Sequence, residues 1–264
     1  MNRYQRITLL SGISVAVAAA LFMFPPIMQD PEYHNLADRR VIAGIPNFGD
    51  VVSNAAFLVV GVLGLWQLFQ IREDRSRLVL KQEALPLAVA FAGTALIFAG
   101  SAYYHWSPSN ETLLWDRLPM TFAFMGIFSM ILVERIDVKA GMVLLIPLLM
   151  AGVASVVYWH VTEQSGHGDL RPYALVQFLP LLLVPMILWL FPARYSGGRY
   201  VVEMIGWYLF AKVFEFLDAE IWEWTGGWIG GHALKHCVAA WAIYALVRYL
   251  KYRRRIPSGG DPAF

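Results

Sequence analysis

The feature that most constrains this chain is a series of apolar runs, each about 20 residues long and separated by short stretches of turn residues. Such a run is the length an α-helix needs to cross the hydrocarbon core of a bilayer, roughly 30 Å. Eight can be read, at about residues 7–28, 51–71, 84–105, 118–134, 141–160, 173–192, 200–217 and 230–250. The stretches "QDPEY", "SPSN", "EQSGHGD", "ARYSGGR" and "TGGWIGG" supply the turns. Charged residues make up 15% of the chain, well below the roughly 25% of soluble domains. Barrel-type alternation is missing. The expected fold is therefore all-α, a polytopic transmembrane helical bundle. Residues 1–28 form an extra N-terminal span, and residues 29–264 form a seven-span core domain.

Lysine and arginine counted loop by loop give 15 on one side, including both termini, and 4 on the other. By the positive-inside rule both termini are expected in the cytoplasm, as in a bacterial inner-membrane protein. Arg3 and Arg6 before an apolar run also describe a secretory signal peptide. The run continues through "LFMF" to Met28, longer than a usual signal core, so an uncleaved helix is the expectation. Cys237 stands alone, which excludes an internal disulfide and a CxxC metal or redox site. Walker, dinucleotide-binding and GxSxG motifs are missing, and no nucleic-acid partner is expected. Oligomeric state is left open.

With that topology, several reactive residue types fall at one depth, near the non-cytoplasmic face. In "GGHALKHC", His232 and His236 are spaced i, i+4 and share one helix face, so both can reach a single ion. Two such histidines alone are more often interfacial residues satisfied by water. His105, at the end of another span and at matching depth, turns the balance toward a metal. Three imidazoles with an open fourth position describe a catalytic zinc site, although nickel, copper or a bis-histidine haem would accept the same donors. Asp116 is expected to open the next span. A carboxylate there is ordinarily an N-cap; beside water activated by a metal it would be a general base. Ser101, one turn before His105, is either a small packing residue like Gly100 or a donor to a developing oxyanion.

His34, His160 and His167 lie on the same side; each is read as an interfacial histidine, with His160 the one best placed to join the site. Lys212 and Glu215 are expected to pair at i, i+3. Lys235 is read as lying on a different helical face from the two histidines, with an acidic partner nearby.

Taken together, "SAYYH", "WDRLPM" and "HALKH", with the Ser-Asn pair of "DVVSNAAF", resemble the alkaline ceramidase family. That family belongs to a superfamily of seven-span metal-dependent hydrolases that also includes adiponectin-type receptors, and this chain looks like a bacterial-type member. The match covers about residues 45 to 250. The resemblance implies that His105, His232 and His236 are zinc ligands, that Asp116 orients or deprotonates the catalytic water and that Ser101 polarises the scissile carbonyl. Ser53 and Asn54 would be structural residues near the site. It further implies an amidohydrolase cleaving a ceramide-like lipid within the bilayer. A non-enzymatic lipid-binding or receptor-like protein with a structural zinc site is the alternative. The family's calcium loop carries an Asp-Trp-Cys-Glu pattern that this chain lacks. Asp30, Glu32, Asp38, Asn47 and Asp50 still offer oxygen ligands there, Asp38 and Asn47 above all, or are simply solvated loop residues. Zinc is thus the expected cofactor and calcium an open alternative.

Overall fold

In a computed structural model, residues 1–257 are described. They form ten α-helices: α1 (Arg3–Met23), α2 (Phe48–Ser53), α3 (Ala55–Ile71), α4 (Ala84–Trp106), α5 (Asn110–Arg135), α6 (Val138–Gln164), α7 (Arg171–Leu190), α8 (Arg199–Phe216), α9 (Asp218–Trp224) and α10 (Gly231–Tyr252). No strand occurs among the described residues. This is the all-α bundle that the apolar runs imply.

Among the described residues, six segments are long and apolar enough to cross a membrane: α1, α2 with α3, α4 with the turn before it, α5, α6 and α7. Eight such segments were expected. The other two, α8 and α10, are 18 and 22 residues long and run in the same bundle, but each carries several charges. Those charges meet one another across the α8–α10 contact. Arg248 pairs with Glu203 at 2.6 Å, and Lys235 pairs with Glu215 at 3.2 Å. Pairing of this kind is what makes ionisable groups tolerable in a membrane helix.

α5 is the central helix, with 67% of its most apolar window buried; in α6 the share is 28%. The outward faces are apolar, for example Trp66, Val143, Ile146, Met150 and Trp189. Such a surface suits lipid, where backbone polar groups must be satisfied within each helix. α1 lies at the edge of the core. It buries only Leu10 and is tied to α7 through Arg6 on the Leu190 carbonyl and Arg171 on the Phe24 carbonyl, the latter at 2.6 Å.

One end of the bundle gathers the N-terminus and the end of α10. Arg3 donates to the Ile136 carbonyl at 3.1 Å and pairs with Asp137. Arg253, fully buried, pairs with Glu134, whose other oxygen accepts from the Tyr249 hydroxyl at 2.7 Å. Arg253 also donates to the Arg77 carbonyl at 2.6 Å. The histidines of interest lie at the opposite end, where α4 finishes and α10 begins.

Two glycines let backbones approach there. A Cβ on Gly100 would meet the Trp115 carbonyl oxygen at 2.0 Å, and one on Gly231 would meet the Phe214 carbonyl oxygen at 2.2 Å. The first contact sets Ser101 beside Asp116, and the second sets His232 against the α8–α9 junction.

Candidate metal centre

His105 ends α4 in its last turn, whereas His232 and His236 occupy the first two turns of α10. All three are buried, and their ligand-capable atoms lie within 4.8 Å of one another. The ring centroids form a nearly equilateral triangle of 4.6, 4.8 and 4.9 Å. Three imidazoles sharing one tetrahedral zinc, with Zn–N near 2.1 Å, have centroids roughly 5 Å apart. The triangle fits.

Polar satisfaction tests the same point. Both nitrogens of His105 are buried without a hydrogen-bond partner among the described residues, which is costly unless a ligand such as a metal ion engages the ring. His236 shows the complementary arrangement. Its Nδ1 lies 2.8 Å from Ser53 Oγ, and that hydroxyl donates to the Asp50 carbonyl at 3.1 Å. With its hydrogen spent on Asp50, Ser53 accepts from Nδ1–H, which leaves Nε2 as the lone pair free for a metal. An outer partner of this kind is the usual companion of a metal-bound histidine. Asn54 donates to the same Asp50 carbonyl at 2.7 Å.

α10 is held by its neighbours. The His232 backbone N–H donates to Asp218 Oδ1 at 2.8 Å. Asn47, which takes the left-handed conformation at φ 45°, donates to the His105 carbonyl at 2.7 Å and ties α2 to the end of α4. Of the loop residues read as calcium ligands, Asp38 and Asn47 are engaged elsewhere, whereas neither carboxylate oxygen of Asp50 has a hydrogen-bond partner among the described residues. Asp38 already accepts four hydrogen bonds, from the Arg40 N–H, Nε and Nη2 and from the Gly49 N–H. Burial pushes its carboxyl up, but those donors outweigh burial and hold it below the usual carboxylate range. Asp30 caps its own short turn, accepting from the Glu32 N–H, and Asp50 is buried on α2. With its oxygens saturated, Asp38 has no lone pair left to share with a cation.

Ser101 and Asp116 both line a cavity of about 300 Å³ that also reaches His236. This is the lower end of ligand-binding cavities, roughly 300–1,000 Å³. Its far walls are apolar, including Phe57, Ile97, Phe124 and Ile243. Asp116 does not open its helix as expected. Ser109 caps α5 in a reciprocal arrangement with Thr112, so the helix starts at Asn110 and Asp116 falls in its second turn. That frees Asp116 from capping duty.

Lys235 is not on a remote face. It sits three residues after His232, and its Nζ lies 2.7 Å from His232 Nε2 and 3.2 Å from Glu215. Glu215 also pairs with Lys212 at 2.5 Å, as the i, i+3 spacing implied. An ion taken at His232 Nε2 competes with the Lys235 ammonium, and Glu215 is the partner left to it. His160, by contrast, stays out of the site and meets Gln164 at 3.0 Å. His34 contacts the Tyr104 hydroxyl and Asn110, each at 3.0 Å. The i, i+3 position of Lys235 was a usable signal that it borders the histidines.

These features define a membrane-type helical protein with a buried three-histidine group able to hold a metal ion. No protein-family model matches the chain, and no curated protein does.

Proposed function

We propose that this protein is a membrane-embedded zinc-dependent amidohydrolase that cleaves the amide of a ceramide-like lipid to a fatty acid and an amine. The observation that carries the reading is one apolar-walled cavity lined by Ser101, Asp116 and His236, the last a member of the buried three-histidine group. A structural metal site needs neither the hydroxyl nor the carboxylate. The likeness to the alkaline ceramidase motifs supports the same reading. The positive-charge bias further supports cytoplasmic termini in a bacterial inner membrane, with the site near the outer face.

His105, His232 and His236 would hold the metal. When bound, zinc lowers the pKa of a coordinated water to about 7 and polarises a carbonyl. Asp116 takes a proton from the attacking water and returns it to the leaving nitrogen, so that the amine departs neutral. The Ser101 hydroxyl donates to the carbonyl oxygen as negative charge develops there. The apolar walls hold the acyl chain and exclude bulk water, which strengthens every charge interaction around the amide.

The test is zinc content together with fatty-acid release from ceramide in detergent. Wild type is expected to carry one zinc per chain, and His232→Ala to lose most of it. Asp116→Ala is expected to keep zinc and lose turnover by about 10²-fold or more. A zinc-free wild type overturns the scheme, and full activity in Asp116→Ala removes that residue from the mechanism.

A further inference from the structure

The cavity contains a positive charge that the hydrolytic scheme does not use. Arg117, adjacent to Asp116 on α5, lines the same cavity and is only 7% exposed. Its guanidinium is a permanent cation with five in-plane donors. One of these, at Nη2, reaches Gln29 Oε1 at 2.6 Å. Nη1 is buried with no acceptor. None of the ten ion pairs among the described residues includes Arg117.

What surrounds the guanidinium is aromatic. It lies 4.2 Å from the Trp159 ring centroid, 5.0 Å from Tyr173 and 5.9 Å from Tyr33. Ring faces offset part of the cost of burying the cation, but they supply no acceptor to Nη1–H. Removing a buried charge from water without a paired acceptor is unfavourable unless a ligand completes it. The remaining charges lining the cavity do not provide that acceptor. Glu215 is engaged by Lys212 and Lys235, so three cations face two carboxylates.

The geometry points to Arg117 as the receptor for an anionic group carried by the lipid that occupies this cavity. The site therefore selects an acyl amphiphile with a carboxylate, sulfonate or phosphate within reach of the scissile amide, or the fatty-acid carboxylate released from it. Guanidinium favours such groups because two of its N–H bonds can meet two oxygens at once. The inference rests on reading the cavity as a lipid-amide site, and it adds the chemical class of the lipid.

Binding and turnover separate the two claims. Full-length zinc-loaded protein with Asp116→Asn, which stops turnover, is titrated in detergent with four probes of equal chain length. These are N-palmitoylethanolamine (neutral), N-palmitoylglycine, N-palmitoyltaurine and palmitate. The anionic amides are expected to bind about tenfold tighter than the neutral one, as one charge-assisted hydrogen bond supplies. Arg117→Gln is expected to erase that preference while neutral binding and zinc content stay unchanged, and Arg117→Lys to restore part of it. If palmitate alone binds tighter than the neutral amide, the anion read is the product carboxylate; if only the conjugates do, it is the headgroup; if all three do, Arg117 accepts either anion. Equal binding of all four probes, palmitate included, by the unaltered Arg117 protein overturns the proposal, even if Arg117→Gln fails to fold. So does an undiminished preference in a folded Arg117→Gln. Absence of turnover in wild type with the anion preference intact would instead overturn the hydrolase reading alone.

Discussion

Gly100→Ala is the substitution that most directly probes how the site is assembled. The added methyl would stand 2.0 Å from the Trp115 carbonyl oxygen and 2.8 Å from its carbon. An ordinary C···O contact is about 3.3 Å, so α4 and α5 must part locally by about 1.3 Å. The obstacle is backbone, which has no rotamer to yield. Overpacking of this kind costs about 1–3 kcal/mol. The displaced residues are the immediate neighbours Ser101 and Asp116, and a misplacement of about 1 Å costs roughly 10²-fold in rate. Gly206→Ala is the matched control, because Gly206 sits inside α8 with no heavy atom within 4 Å of the new methyl. It should be neutral or stabilising by up to about 1 kcal/mol. Thermal unfolding in detergent, zinc per chain and fatty-acid release are measured on both. Gly100→Ala should lower the unfolding temperature and reduce turnover about 10²-fold, while Gly206→Ala does neither. Wild-type turnover and stability in Gly100→Ala would refute the claim that this close approach positions the site.

Two further outcomes follow from particular contacts. Ser53→Ala removes the partner of His236 Nδ1 and should weaken zinc affinity about 10–100-fold, read by chelator competition, without unfolding the chain. Glu134→Ala leaves Arg253 buried without its carboxylate and should cost about 3–5 kcal/mol in denaturant unfolding, whereas Glu134→Leu with Arg253→Met should recover much of that loss.

Much of the fold was legible because hydrocarbon imposes a simple rule on sequence. Span positions follow from apolar length, and most helix ends fell within a few residues of the runs. The exceptions have local causes. α5 begins earlier than its apolar run because Ser109 caps it, and the charged stretch after residue 217 forms its own short helix, α9. The pairing of Lys212 with Glu215 was also readable, since i, i+3 neighbours meet on any helix. Rotation of one helix against another was less readable. A membrane helix that is apolar nearly all round carries no strong stripe to show which face turns inward. The reading of Lys235 on a different face missed its i, i+3 relation to His232, whereas the distance of His160 from the metal group depends on that rotation. The surroundings of Arg117 were unreadable for the same reason, because Gln29, Trp159 and Tyr173 come from three separate segments.

The sequence by itself determined that this chain is a helical membrane bundle, and that His105, His232 and His236 share a depth at one end of it. Those conclusions need only helix rise, helix periodicity and the cost of polar groups in hydrocarbon. Only the tertiary structure decided that the three rings close to a triangle under 5 Å on each side, and that a buried arginine without an ion-pair partner stands at the cavity lined by Ser101 and Asp116. Those facts depend on lateral packing, which backbone contacts at Gly100 and Gly231 set and which no single helix encodes.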